Sequence, residues 1–148
     1  MEFLMKPIGV IHTPLMKLSD VPIQSSRSDI EGTVEIYPRY VEGLEGIEGF
    51  SHIYLLYGFH LSKDIAEMKV KPFLDEHLQG IFATRFPARP NPIGFSVVRL
   101  IRSGNAQLVF IGADMLDGTP LLDIKPYIPD FDVFGAAKTG WYGTRSKA

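Results

Sequence analysis

The chain has 148 residues, of which 45% are hydrophobic and 22% are charged, and its net charge is −2. This composition excludes a chain too polar to form a core, and a chain of this length buries about 68–70% of its unfolded surface. The absence of cysteine excludes disulfides, thiolate metal sites and cysteine nucleophiles.

The apolar runs and the histidines exclude further classes. No run approaches the about 20 residues of a membrane helix, and the start MEFLMKP lacks the sustained apolar region of a signal peptide. The four histidines show no HxxxH or HExxH spacing, which argues against a metal site. We therefore expect one cytoplasmic domain over residues 1–148, with residues 143–148 frayed, and with neither a membrane span nor a bound metal.

Five segments have the pattern of β-strands, because they alternate apolar with polar residues or form short runs rich in β-branched and aromatic residues. In chain order they are 6–13, 32–37, 51–60, 93–101 and 107–113. The last two are joined by residues 102–105, whose Ser, Gly and Asn favour a hairpin turn. Helical patterns are short and lie at 39–44 and 64–69.

Several strands of similar length, separated by turns, predict a mainly β fold. Strands that close on themselves leave no exposed edge, so we expect a single-domain, closed or nearly closed antiparallel β-barrel with short helices. No GxGxxG motif follows a strand and no βαβ rhythm is present, which argues against a Rossmann fold.

The segment 77–113 contains four arginines and no acidic residue, although the whole chain is slightly acidic. Within it, residues 82–96 read FATRFPARPNPIGFS. Because proline fixes φ and favours an extended residue before it, this block predicts a stiff loop that holds Arg85 and Arg89 ready to contact phosphate or carboxylate. For the block 82–96, the alternative is a proline-rich turn whose arginines lie in water. For the whole segment 77–113, the alternative is a strand-rich core segment that simply excludes carboxylates.

A second polar block, DMLDGTPLLDIKPYIPD, follows the last predicted strand at residues 114–130. Its carboxylates, Lys125 and Tyr127 lie next to an apolar strand, which predicts the edge of a polar pocket. Turn backbone groups and a carboxylate can bind the polar groups of a nucleoside cofactor, and aromatic faces can accommodate a sulfonium. The alternative is a loop with ordinary capping carboxylates, because Asp-Gly is a turn dipeptide.

Together with GFSHIYLLYGFH at residues 49–60, these blocks resemble the TsaA-like family, also called TrmO, in its short form. The resemblance covers nearly the whole chain. It implies a compact β-barrel methyltransferase that acts as a homodimer and uses S-adenosylmethionine. It also implies methylation of the exocyclic N6 of the threonylcarbamoyladenosine next to the anticodon of tRNA.

The resemblance also assigns residues to the cofactor and to the substrate. The expected cofactor site comprises Pro22, Ile23, Gln24, His60, Leu61, Arg85, Phe95, Leu116, Asp117, Gly118 and Thr119. The residues expected on the substrate side are Arg89, Asn91, Lys125 and Tyr127. The substrate nitrogen is a poor nucleophile because its lone pair is delocalised, so it must be aligned with the methyl group and lose its proton. The candidates for this catalytic work are Asp114, Asp123 and Tyr127, and a water molecule is the alternative base.

Two other functions fit the same residues. A non-catalytic β-barrel module that binds RNA or a nucleotide would also use the arginine-rich segment. A methyltransferase for a small molecule could use the same scaffold, because nothing in the residues themselves requires an RNA substrate. Methyl transfer from labelled cofactor to bulk tRNA distinguishes these functions.

Overall fold

The computed structural model describes residues 1–62, 66–135 and 138–144. Its internal contacts form two compact units, the first of residues 1–60 and 93–127 and the second of residues 61–92 and 128–148. The prediction of one domain over residues 1–148 is not tested by this grouping and stays a prediction. In the described ranges, no helix is long and apolar enough to cross a membrane.

The first unit is a β-barrel of antiparallel strands. In chain order its strands are β1 (Gly9–His12), β2 (Glu31–Ile36), β3 (His52–Gly58), β6 (Ile93–Gly104), β7 (Gln107–Ile111) and β8 (Thr119–Pro126), and the second unit adds β4 (Lys69–Val70) and β5 (Gln79–Gly80). The barrel closes in the order β1-β2-β7-β6-β3-β8, with β8 paired to β1. The predicted mainly β, closed antiparallel barrel is confirmed.

The remaining elements are short. Turns of 3-10 helix occur at Leu18–Asp20, Ser25–Arg27, Pro38–Leu44, Ile47–Gly49 and Ile81–Ala83. The α-helices α1 (Pro129–Asp132) and α2 (Trp141–Thr144) belong to the second unit. The helical pattern predicted at 39–44 lies within a 3-10 helix. Of the one predicted at 64–69, residues 64 and 65 lie outside the described residues, and Lys69 begins β4.

Strand β8 is the barrel strand that the sequence patterns did not predict; they did not predict the two-residue strands β4 and β5 either. Pro120 and Pro126 lie within β8, and proline removes a donor from a strand ladder. Both prolines lie near its ends, however, and the residues between them pair with β3 across a register shift. This pairing, together with that to β1, closes the barrel and carries the 114–127 block along its wall.

The barrel interior is filled by alternate residues of its strands. The fully buried side chains of the first unit are those of Ile11, Val34, Ile53, Leu55, Val98, Leu108, Phe110 and Leu121. Gly32 makes room for the largest of them, because a Cβ at this position would collide with the Phe110 ring. The strands therefore have an inner apolar face and an outer face, which decides where each polar side chain can act.

Candidate cofactor site

The 113–119 segment, which joins β7 to β8, is tied to distant parts of the first unit by hydroxyl groups. Ser28 Oγ donates to the Ala113 carbonyl at 2.7 Å, and Thr13 Oγ1 donates to the Met115 carbonyl at 2.9 Å. Thr13 is buried, so its bond is shielded from competition with water. The segment is therefore held at the end of the barrel by residues that come from well before it in the chain.

The second half of this segment is a tight turn that is bonded to β1 and to the chain just after it. The Asp117 and Gly118 amides donate to the carbonyls of Leu15 and Ile11 at 2.8 and 2.9 Å. Gly118 has a φ of 81°, a left-handed conformation that favours glycine. The hydroxyl of Thr119 closes the turn by donating to the Leu116 carbonyl at 2.6 Å. The predicted residues 116–119 thus form one fixed turn.

The carboxylate of Asp117 is fixed in this turn but remains accessible. Its Oδ1 accepts the Thr13 amide at 3.1 Å, and about a third of the side chain, 35%, is exposed. His12 lies beside it, with Nδ1 at 3.5 Å from Asp117 Oδ1 and Nε2 at 3.0 Å from Glu35 Oε2. The turn therefore presents an oriented carboxylate at the surface.

His60 is brought to the same turn. It follows β3, and its Nε2 lies 4.0 Å from the place that a Cβ on Gly118 would occupy. Pro22, Ile23 and Gln24 lie between two 3-10 turns of the first unit, and Ile23 is exposed. Of the predicted cofactor residues, the structure thus brings His60 next to the 116–119 turn.

A chain of buried hydroxyls ends on Asp114. Ser96 Oγ donates to Asp114 Oδ1 at 2.6 Å, and the Tyr57 hydroxyl lies 2.9 Å from Ser96 Oγ. Tyr57 and Ser96 are both buried. Burial and the nearby charge of Asp114 raise the pKa of Tyr57 well above its usual range, so its hydroxyl keeps its proton at neutral pH. Ser96 was not singled out as a site residue from the sequence. It lies between Gly94 and Val98 on the inner face of β6, and these three alternate residues are buried.

The other catalytic candidates lie along β8 or just after it. Asp123 pairs in register with Leu56, which alternates with the buried Leu55 and Tyr57 and so faces outward. Its carboxylate forms an ion pair with Lys125 at 3.1 Å, and both side chains are about half exposed or more, at 48% and 64%. The structure therefore separates the two predicted bases: Asp114 contacts the inner face of the barrel wall and Asp123 lies on the outer face.

Tyr127 and Phe95 add aromatic surface to the barrel. The Tyr127 ring contacts those of Tyr54 and His52 edge-on, at centroid distances of 5.8 and 6.1 Å. Phe95 pairs in register with Leu56 and is 46% exposed. The Phe95 side chain therefore presents aromatic surface to the solvent.

The remaining predicted residues lie in the second unit. Leu61, Arg85 and Asn91 are exposed. Arg89 is partly buried, and its Nη1 donates to the Thr84 and Phe86 carbonyls at 2.9 and 3.0 Å. The Arg89 guanidinium, which was predicted to contact the substrate, therefore bonds to carbonyls of its own loop.

The second unit contains an open pocket of about 480 Å³ lined by Asp75, Glu76, His77, Gln79, Trp141 and Thr144. Trp141 Nε1 donates to the Ala83 carbonyl at 2.6 Å. In the described part of the chain, no group of three or more His, Asp or Glu side chains could hold a metal ion. The prediction of a protein without metal stays a prediction.

The residues of the first unit fit the chemistry of S-adenosylmethionine. Asp117 offers a carboxylate to an amine or to ribose hydroxyls, and His60 Nε2 would lie 4.0 Å from a Cβ at the neighbouring Gly118. Phe95 offers an exposed aromatic face, which can attract a sulfonium. The assignment of the individual residues to the cofactor stays a prediction.

Comparison with known proteins identifies the family. Residues 10–133 match the family described as tRNA-methyltransferase O N-terminal domain. A relative from Pyrococcus abyssi, named as a probable S-adenosyl-L-methionine-binding protein, is 56% identical over 138 residues, which are 92% of this chain and 74% of that protein. A protein from Mus musculus, named tRNA (adenine(37)-N6)-methyltransferase, is 36% identical over 88% of this chain and 32% of its own length.

The structural comparison agrees. A crystal structure of TrmO matches with a TM-score of 0.81 and 42% identity, covering 95% of this chain. The chain spans 64% of the length of that TrmO chain. These matches confirm the predicted resemblance, and the names of the relatives confirm S-adenosylmethionine as the cofactor associated with it. The chain belongs to the TrmO family.

Proposed function

We propose that this protein is an S-adenosylmethionine-dependent methyltransferase that modifies the exocyclic N6 of threonylcarbamoyladenosine next to the anticodon of tRNA. The observation that carries this proposal is the fixed 116–119 turn, with the accessible carboxylate of Asp117 beside Gly118 and His60. The name of the mouse relative supports an adenine N6 in tRNA as the acceptor.

The cofactor supplies an electrophilic methyl group on a sulfonium. The 116–119 turn would hold it, with Asp117 on its polar groups, while Phe95 offers the aromatic face. Because the turn is fixed before binding, little conformational entropy is lost when the cofactor binds. What the protein then has to supply is alignment of the acceptor nitrogen with the methyl group and removal of the proton on that nitrogen.

The acceptor side of the proposal uses the arginine-rich segment. Arg89, Asn91, Lys125 and Tyr127 are proposed to contact the modified nucleoside or the tRNA. The net charge of −2 is low for a tRNA enzyme. A cytoplasmic homodimer would double the number of arginine-rich segments and give a local positive field on a nearly neutral body.

Two measurements test the proposal. Calorimetry should show binding of S-adenosylmethionine, and nucleoside mass spectrometry should show a gain of one methyl group on threonylcarbamoyladenosine in tRNA incubated with the protein. Asp117→Asn should weaken cofactor binding, whereas the matched change Asp20→Asn, at an exposed position in a 3-10 turn, should not.

The outcomes distinguish the other functions. Binding of tRNA without methyl transfer would favour a non-catalytic RNA-binding module. Cofactor binding with transfer to small acceptors but not to tRNA would favour a small-molecule methyltransferase. Absence of cofactor binding at millimolar concentrations would overturn the proposal.

A further inference from the structure

Two buried hydroxyls on neighbouring barrel strands form a hydrogen-bonded chain that runs in one direction. Tyr57 lies on β3 and Ser96 on β6, and they are 4% and 3% exposed. Ser96 uses its proton in the 2.6 Å bond to Asp114, so the proton between Tyr57 and Ser96 must come from Tyr57. The chain therefore runs from Tyr57 to Ser96 to the carboxylate.

The electrostatic environment of Tyr57 favours donation from Tyr57 to Ser96 to Asp114. Burial raises the pKa of Tyr57, and the negative charge of Asp114 raises it further, so Tyr57 stays a neutral donor. A donor chain that ends on a carboxylate stabilises its ionised form and fixes the orientation of its oxygens. The bond from Ser96 therefore gives the Asp114 carboxylate a fixed donor and a defined orientation, as a proton acceptor requires.

The bond from Ser96 differs from the other hydroxyl bonds to the 113–119 segment. Those of Ser28 and Thr13 end on backbone carbonyls, which is sufficient to hold the segment in place. The bond from Ser96 ends on the side-chain carboxylate of Asp114. It also places two hydroxyls inside a mainly apolar barrel, where a polar group is costly unless it is paired.

We propose that Asp114 is the base that takes the proton of the acceptor nitrogen, and that Ser96 and Tyr57 are the positioning residues that hold it. This inference rests on the proposed function. Asp123 suits the role less well, because its carboxylate is already paired with Lys125 at 3.1 Å. Tyr127 is the third catalytic candidate, and its ring packs edge-on against two other aromatic rings.

The step balances without a further reactant. The lone pair of the acceptor nitrogen forms the new bond to the methyl carbon, and the methyl–sulfur bond breaks with its electron pair staying on sulfur. The proton of the nitrogen passes to a carboxylate oxygen of Asp114, which later releases it to water. The products are the methylated nucleoside and S-adenosylhomocysteine.

The test is the pH dependence of kcat for methylation of threonylcarbamoyladenosine in tRNA, measured for wild type, Ser96→Ala and Tyr57→Phe. Both changes remove donors from the chain at little cost in volume. A carboxylate that loses a donor is less stabilised when ionised, so the acidic limb of the profile should move to higher pH. Asp114→Asn should lower kcat by about 10²–10⁴-fold, the usual contribution of a general base. Cofactor affinity should stay unchanged in Ser96→Ala and Tyr57→Phe.

Matched controls separate positioning from a structural effect. Ser103→Ala, on the same strand as Ser96, and Tyr37→Phe, at an exposed position after β2, should leave the profile unchanged. If wild type is active but the acidic limb stays in place in both Ser96→Ala and Tyr57→Phe, the inference is overturned and the proposed function stands. If wild type does not methylate this tRNA, the proposed function fails and the inference fails with it. Unfolding of Asp114→Asn would not decide the question, because Ser96→Ala and Tyr57→Phe carry the test by themselves.

Discussion

The two loops that the sequence marked as functional are held in place in opposite ways. In the first unit, the 113–119 segment is tied by Ser28 and Thr13, which lie 85 and 102 residues from their partners. In the second unit, residues 81–92 are tied mainly by bonds within the loop, although Ile81 and Ala83 also bond to Met68 and Trp141. Arg89 bonds to carbonyls only 5 and 3 residues away, and Thr84 Oγ1 donates to the Ile81 carbonyl at 2.9 Å.

This difference shows where the order of each loop comes from. The 113–119 segment acquires its shape only when β1 and the chain after it are in place, so its geometry depends on the closed barrel. The 81–92 loop can form much of its shape locally, from proline restrictions and from the Arg89 bonds. The first should therefore be sensitive to changes far away in the chain, and the second mainly to changes within it.

The largest effect is expected from Thr13→Val. The substitution keeps the volume but removes the donor to the Met115 carbonyl and the acceptor for the Leu15 amide, at 2.9 and 3.2 Å. Because these groups are buried, we expect the free energy of unfolding to fall by about 2–3 kcal/mol, measured by urea denaturation. Thr33→Val, at a partly buried position on β2, is the control. Equal stability of the two variants would contradict the long-range anchoring of the 113–119 segment.

A smaller effect is expected from Gly118→Ala. Space is not the problem, because the nearest atom to the new Cβ would be His60 Nε2 at 4.0 Å. The φ of 81° is the problem, and a left-handed L-residue costs about 1–2 kcal/mol. Gly104→Ala, at a glycine that also has open space but no positive φ, should change stability by less than about 0.5 kcal/mol. We expect weaker S-adenosylmethionine binding in Gly118→Ala alone, measured by calorimetry.

The third effect concerns the locally tied loop. Arg89→Lys keeps the charge but replaces the planar guanidinium, whose Nη1 donates to both carbonyls, with a more strongly hydrated ammonium on a flexible stem. We therefore expect a loss of about 1 kcal/mol and faster amide hydrogen exchange within residues 81–92. Arg102→Lys, an exposed position on β6, is the control for exchange in this loop. Unchanged exchange in Arg89→Lys would show that the Arg89 bonds do not order the loop.

The same residue separates loop order from tRNA contact. If Arg89 also contacts a phosphate, Arg89→Ala should lower the slope of log affinity against log salt by about one, whereas Arg89→Lys should keep it. Affinity for tRNA that is insensitive to salt in the wild type would remove the arginine-rich segment from the binding surface.

The sequence predicted the strands better than the contacts that fix the site. Alternation along β2 and the short apolar run of β3 are local signals, and they sufficed for the barrel. Strand β8 was missed because proline usually interrupts a strand. The two prolines lie near the ends of β8, where they do not prevent pairing, and this can be recognised only once the partner strands are known. The hydroxyl of Ser96 looks like any strand serine in the sequence, because its partner Asp114 is brought to it by the β6–β7 hairpin.

The smallest effect is expected from Asp123→Asn, which compares a partly exposed carboxylate paired with Lys125 with the Asp114 carboxylate held by Ser96. Asp123 and Lys125 form an ion pair at 3.1 Å, but both are largely in water, so its loss should cost less than about 1 kcal/mol. If Asp114 is the base, Asp123→Asn should also leave the acidic limb of the kcat profile in place. The substitution does not change the bond that Ser96 donates to Asp114. Lys125→Met removes the other partner of the ion pair. It should weaken tRNA binding, because the lysine charge is expected on the substrate side, and it should change the free energy of unfolding less. A loss of kcat in Asp123→Asn as large as that in Asp114→Asn would move the proton transfer to the outer face of the barrel.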